Sequence, residues 1–244
     1  MSKIKITVAT IGHMPAEFDK KKLKEWRSEI FEICDEIENY SLNCESDGRG
    51  WEFTDKALEE VLPERFKGDF LVSIVNVPIE ENWYSRRLTS NRVVLSFYEM
   101  KDILNASNIP LVNIVYRLFY SYTLVYKRNG DRIPENIEHT NFTHDETRGC
   151  IFDMNGIKTD AVYSCHKPIL CSSCVERIRR DKVSSETIEK CQHEIKKIQK
   201  DLFYKLADFI KVHPVWSLAI SGLTAICLGA AGSVLGSYIY DTIK

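Results

Sequence analysis

The sequence predicts an α/β protein: a mixed sheet flanked by helices, with a C-terminal part stapled by a Cys/His set, then a long amphipathic helix and one transmembrane helix. Three observations predict it. β-branched and alternating runs are interspersed with helix-period segments between residues 3 and 126, two His and four Cys lie between 144 and 174, and 26 residues near the C-terminus carry no charge.

Residues 3–11 alternate apolar and polar and read as a strand. Residues 19–39 place Leu23, Trp26, Ile30, Ile33 and Ile37 near helical spacing and predict a helix. TDKALEEVLPERF opens on a Thr/Asp cap signal and predicts a short helix. DFLVSIVNVPI and NRVVLSFYEM are β-branched runs suited to buried strands. After Pro110, LVNIVYRLFYSYTLVY reads as a long apolar helix, giving a βαβαββα order with the sheet covered by helices. Residues 128–148 are polar, hold Asn129-Gly130 and Pro134, and predict a loop. Ile188, Cys191, Ile195, Ile198, Leu202, Leu206 and Phe209 step by three and four, a heptad-like stripe on a helix that Pro214 helps to stop. The expected organisation is a head over 1–183, an amphipathic linker helix over 184–213 and a transmembrane helix over 214–240.

A chain of 244 residues with 44% hydrophobic and 28% charged side chains can bury a sizeable core. Its formal net charge of -2 supplies no general field for nucleic acid, so none is expected as a partner. The N-terminus lacks the apolar stretch of a secretory signal, which places the bulk of the chain in the cytoplasm. In that reducing compartment the eight cysteines are expected as thiols or metal ligands, not as a disulfide framework.

The uncharged stretch Val215–Tyr240 exceeds the roughly 20 residues that cross the bilayer hydrocarbon as a helix. Trp216 stands near one end, Tyr238 and Tyr240 at the other, where amphipathic aromatics favour the interface. Lys196, Lys197, Lys200, Lys205 and Lys211 precede it, against Asp241 and Lys244 beyond, so the reading is a single-pass C-terminal anchor with the N-terminal side cytoplasmic. Gly222, Gly229 and Gly236 recur every seven residues, and Gly232 with Gly236 forms GxxxG. Small residues let helices approach in lipid, so this stripe points to a homo-oligomer packed through the C-terminal helices, with a simple anchor as the plainer reading.

His144, Cys150, Cys171 and Cys174 are the candidate metal ligands. CxxC spacing clasps one ion from a tight turn, and a closed set of four protein ligands marks a structural zinc, since a catalytic zinc keeps a position open. Cys165 and His166 are spare candidates. Unligated buried thiols, with Cys34, Cys44 and Cys227 as examples of Cys used as filler, and a redox CxxC are the competing readings, though a redox pair opens a helix after a strand in a thioredoxin-like unit. Arg86, Arg87 and Arg92, within NWYSRRLTSNR, are candidate ligands for a small anion through planar guanidinium forks. There is no GxGxxG, GxxxxGK[ST] or GxSxG, so nucleotide cradles of those kinds and nucleophile elbows are not predicted.

THDETRGCIFDMNGIKTDAVYSCHKPILCSSC resembles the end of the archaemetzincins, metzincin-like zinc peptidases with the pattern HExxHxxGxxHC, four residues, CxM, about seventeen residues, then CxxC. The resemblance spans residues 65–175 in order of elements and is specific in this tail. It places Cys150 at the second Cys, Cys171 and Cys174 at the closing pair, and His144 at the third metal His. Counting back without gaps puts Pro134 and Glu138 at the two helical His, Asn141 at the Gly and Asp145 at the first Cys; Glu135 alone matches, at the general base. In a second register the apolar helix Val112–Tyr126 takes the active-site role, and it contains no His. The resemblance therefore implies a degenerate metzincin-like head, a pseudoenzyme that keeps a structural zinc, with His144 or Asp145 as fourth ligand.

The functional expectation is a non-enzymatic, membrane-anchored sensor or adaptor for an unknown protein or small anionic ligand, of a plan that suits bacterial stress or phage defence. The alternative is a membrane-tethered zinc-dependent peptidase with atypical ligands such as His139, His144 and Glu135.

Overall fold

The computed structural model describes residues 2–145, 147–153 and 156–243, the side chain of Asp35 excepted. The chain forms two compact units, Met1–Gln199 and Lys200–Lys244.

In the first unit, β1 (Ile4–Ile11) is followed by α1 (Lys20–Glu25), β2 (Phe31–Tyr40), α2 (Asp55–Val61) and β3 (Phe70–Val75). Then come β4 (Ser85–Arg87), β5 (Arg92–Ser96), α3 (Met100–Ala106) and α4 (Val112–Arg128). The sheet runs β2-β1-β3-β5-β4, parallel throughout except for β4, which pairs antiparallel to β5. It is the expected mixed sheet flanked by helices.

The central strand β3 explains its own continuous apolar run. Phe70, Val72 and Ile74 enter one core cluster, with α4, while Leu71 and Val75 enter the other, with Leu58 of α2 and Leu62 just beyond it. A strand covered on both faces needs no polar alternation. The Thr54 cap is present, its side chain accepting from the Ala57 N–H. Helix α4 is buried from Val112 to Tyr126, which accounts for its almost complete lack of charge.

Residues 19–39 depart from expectation. Only Lys20–Glu25 is helical, and residues 31–40 form an edge strand beside β1. Its pairing with β1 is irregular: Thr7 pairs with Cys34 but Ala9 with Glu38, so β2 carries two extra residues. Ile33 and Ile37 both pack against the core, and a spacing of four places two side chains on one face of a strand as well as of a helix. The short edge strand β4 holds two of the three candidate arginines, Arg86 and Arg87.

The remainder of the first unit holds α5 (Ala161–Ser164), α6 (Ser172–Arg180) and α7 (Ser185–Glu194), with a 3-10 turn at Ile195–Lys197. The single helix expected over 184–213 is broken. It resumes in the second unit as α8 (Leu202–Val212). Ile188, Cys191, Ile195 and Ile198 are buried, whereas Leu202, Leu206 and Phe209 are exposed, so the stripe belongs to two elements. The break has a cause: the Ile198 carbonyl accepts from the Lys167 N–H at 2.8 Å and the Gln199 carbonyl from the Asn113 side chain at 3.1 Å. Carbonyls recruited by the head cannot propagate a helix.

The second unit ends in α9 (Pro214–Ile243), a helix of 30 residues with mean hydropathy 1.9 over its most apolar stretch and no burial inside the chain. Lys244, counted among the flanking charges, lies outside the described residues. A Cβ added at Gly222, Gly229, Gly232 or Gly236 would meet nothing within 4 Å.

Candidate metal centre and the neighbouring cleft

The four expected ligands converge. One donor atom each from His144, Cys150, Cys171 and Cys174 lies within 4.8 Å of all the others, and among the described residues no other such group of three or more acidic, His or Cys donors occurs. Cys150 Sγ is 3.9 Å from Cys174 Sγ, and Cys171 Sγ is 3.5 Å from His144 Nε2. Sulfurs at the corners of a zinc–thiolate tetrahedron with bonds of about 2.3 Å stand about 3.8 Å apart, so the donor set fits zinc in number, type and spacing.

The backbone builds this convergence from two short pairings. His144 is bridged to Asp153, its N–H bonding to the Phe152 carbonyl at 3.2 Å. Cys150 is bridged to Ile169, with Ile151 N–H to Ile169 O and Ile169 N–H to Gly149 O both at 2.9 Å. Gly149 turns the chain at φ +87°, and a Cβ there would also press to 3.3 Å from the Tyr163 carbonyl. Cys171 caps α6 and Cys174 lies in its first turn, the latter with its Sγ 3.5 Å from Arg177 Nη2. A CxxC pair does open a helix here, but its sulfurs meet Cys150 and His144 as well as each other.

The electrostatics favour a cation. A hydrogen bond with Cys174, aided by the N–H groups of Cys171 and Phe152 and by His144, brings the Cys150 thiol down to about 4, while that same pairing pushes Cys174 up. Thiolates are the form that ligates a metal ion, so a zinc ion held by Cys150 and Cys174 would take the place of the thiol protons.

The other candidates separate. Asp145 is exposed and outside the group, so His144 is the fourth donor. Cys165 is fully buried elsewhere and burial pushes its thiol up to about 12; neither it nor His166 joins the cluster. His139 and Glu135 do not gather with His144 into a second site among the described residues.

Beside the centre lies a cleft of about 470 Å³ between β4, α4 and the segments around 136–143 and 151–153. The three candidate arginines fare differently there. Arg86 is committed to Asp55 through two contacts of 2.7 Å, with Glu80 and Glu81 at 3.7 and 3.4 Å. Arg92 is buried against Thr89 and Glu59 and does not line the cleft. Arg87 lines it, and so does Arg117 of α4, which sequence reasoning did not single out. Its signal was present: Arg117 is the one charged residue between Val112 and Tyr126.

No known protein family matches the chain, and no curated protein matches it. Among solved structures it is similar to the crystal structure of archaemetzincin from Methanopyrus kandleri, at 15% identity and a TM-score of 0.46, over 74% of this chain and 96% of that one.

Proposed function

We propose that the protein is a non-enzymatic sensor or adaptor with a zinc-stapled head and a C-terminal membrane anchor. The observation that supports this reading is the donor set: three Cys and one His within 4.8 Å match in number and type the four protein ligands of a structural zinc site. The cleft supports it. Arg117 and Ser121, one helical turn apart on α4, face the cleft where a helix of the HExxH kind would need two His. The zinc holds residues 144–153 to α6; the residues of the head bind and orient.

Helix α9, at 1.5 Å per residue, extends about 45 Å, more than the roughly 30 Å of bilayer hydrocarbon. The preceding lysines put the head on the cytoplasmic side. The exposed glycine stripe supports self-association within the membrane. A bacterial stress or phage-defence setting rests on this architecture alone.

Metal analysis and peptide digestion of the full chain in detergent test the proposal. One zinc per chain, retained in mild chelator and released on unfolding, is expected, without cleavage of a peptide library. A second, exchangeable zinc accompanied by cleavage would establish the peptidase instead.

A further inference from the structure

The cleft beside the zinc centre is lined by two guanidinium groups, buried Arg117 and partly buried Arg87, each with one buried N–H group that has no hydrogen-bond partner. Arg117 is 2% exposed; its Nη1 bonds to Tyr84 Oη at 2.8 Å and its Nη2 to the Asp153 carbonyl at 2.5 Å, while its buried Nε has no partner. Arg87 reaches the Glu138 carbonyl through Nη2 at 3.4 Å, and its buried Nη1 has no partner. These acceptors are neutral. Among the described residues neither guanidinium enters an ion pair, whereas the adjacent Arg86 holds three carboxylates.

Three acids line the cleft. Glu81 pairs with Arg86, and Glu138 is committed to Arg132 through both carboxylate oxygens. Asp153 gives Arg117 its backbone carbonyl and a favourable charge interaction. An uncompensated buried charge is strongly unfavourable, and an unmade charged hydrogen bond adds to that cost. Burial lowers the Arg87 pKa below the ordinary arginine value, whereas for Arg117 burial is outweighed by Tyr84, Cys165 and Asp153 and the pKa is raised, so the deficit lies with Arg87. An anion entering the cleft removes it.

The remaining lining describes the rest of the guest. Trp83, Tyr84, Tyr122 and Phe142 surround the two arginines. Arg87 lies 5.4 Å from the centre of the Phe142 ring and Arg117 5.5 Å from that of Tyr84. A volume of about 470 Å³ falls within the range of small-molecule sites, roughly 300–1,000 Å³. Guanidinium forks match phosphate oxygens, and aromatic faces accept a planar ring irrespective of its hydrogen-bonding edge.

We propose that this cleft binds a small molecule of the nucleotide class, its phosphate held by Arg87 and Arg117 and its ring placed against the aromatic lining. Use of such a ligand as a signal rests on the sensor reading; binding itself is tested without it.

The test is equilibrium dialysis of the full chain in detergent against the four nucleoside 5′-monophosphates, adenosine and inorganic phosphate, with zinc content measured on every sample. At least one monophosphate is expected to bind with a Kd below about 1 mM. Adenosine, and the Arg87→Gln variant, should bind about tenfold or more weakly, the loss of one or two charged hydrogen bonds. Should Arg87→Gln fail to retain zinc, Arg87→Lys, which keeps the charge and loses the fork, is the comparison and is also expected to bind about tenfold more weakly. Zinc-replete protein that binds none of the monophosphates, or binds them equally well without the Arg87 fork, overturns the proposal. Phosphate binding as tightly as the monophosphates overturns the ring assignment. Loss of zinc from the unmodified chain in chelator bears instead on the structural role of the metal.

Discussion

Glu194 offers the sharpest test of how the head is held together. It is 2% exposed and lies at the end of α7, yet its carboxylate accepts from Ser28 Oγ at 2.6 Å, the Glu29 N–H at 2.7 Å and Tyr120 Oη at 2.7 Å. The last helix of the head is thereby tied to the entrance of β2 and to α4. Three hydrogen bonds to a charged acceptor, at about 1.5–3 kcal/mol each, sum to about 4–9 kcal/mol. Keeping a carboxylate out of water takes back several kcal/mol of that, so Glu194→Ala is expected to destabilise by about 3–5 kcal/mol. Glu194→Gln preserves the shape but turns an amide N–H₂ toward donors already in place, at a cost of about 2–3 kcal/mol. For a unit of this size, about 2–4 °C per kcal/mol translates these into Tm reductions of about 6–20 °C and 4–12 °C. Near-UV circular dichroism on the full chain in detergent, with urea midpoints alongside, reads both, and exposed Glu189→Gln supplies the baseline. If Glu194→Gln melts within about 1 °C of Glu189→Gln, the buried-carboxylate argument is wrong.

Other expectations concern single groups. Glu138 is brought down to about 2, first by its hydrogen bonds with Arg132 and then by the Glu135 N–H. Its contribution to stability is therefore complete above the ordinary carboxylate pKa and declines as the pH falls toward 2, and carbon-detected NMR should find its inflection there and see it move up in Arg132→Ala. Exposed Cys44 should alkylate at pH 8 in the folded protein while buried Cys165, its thiol pushed up to about 12, stays unlabelled. Zinc content should fall to near zero in Cys171→Ser with Cys174→Ser and remain unchanged in Cys165→Ala, and loss in the latter would contradict the ligand set. Removing residues 214–244 should move the protein from the alkali-resistant membrane fraction to the supernatant, and Gly229→Leu with Gly236→Leu should abolish crosslinked oligomers; unchanged products would leave α9 as an anchor only.

What the sequence revealed follows the range of the forces involved. The core strands were legible because burial on both faces leaves a local imprint, as in Phe70–Val75, and α2 because Thr54 caps its own helix. The metal set was legible because thiols at CxxC spacing carry their chemistry with them. The β2 strand was misread because Ile33 and Ile37, four residues apart, share a face in a strand as they do in a helix, and only pairing with distant β1 decides between the two. The break before Leu202 was hidden for a similar reason: it depends on Lys167 and Asn113, distant in sequence, taking the carbonyls of Ile198 and Gln199. Arg87 and Arg86 are indistinguishable as neighbours in a charged run, and only the positions of Asp55, Glu80 and Glu81 show which one is spoken for.

The capture of Gln199 has a mechanical side. Asn113, which also holds the Cys165 carbonyl at 2.9 Å, stands four residues before Arg117 on the same rigid helix. Asn113 and Arg117 thus stand on one helix, so one wall of the cleft and the last residue of the first unit are positioned by the same element.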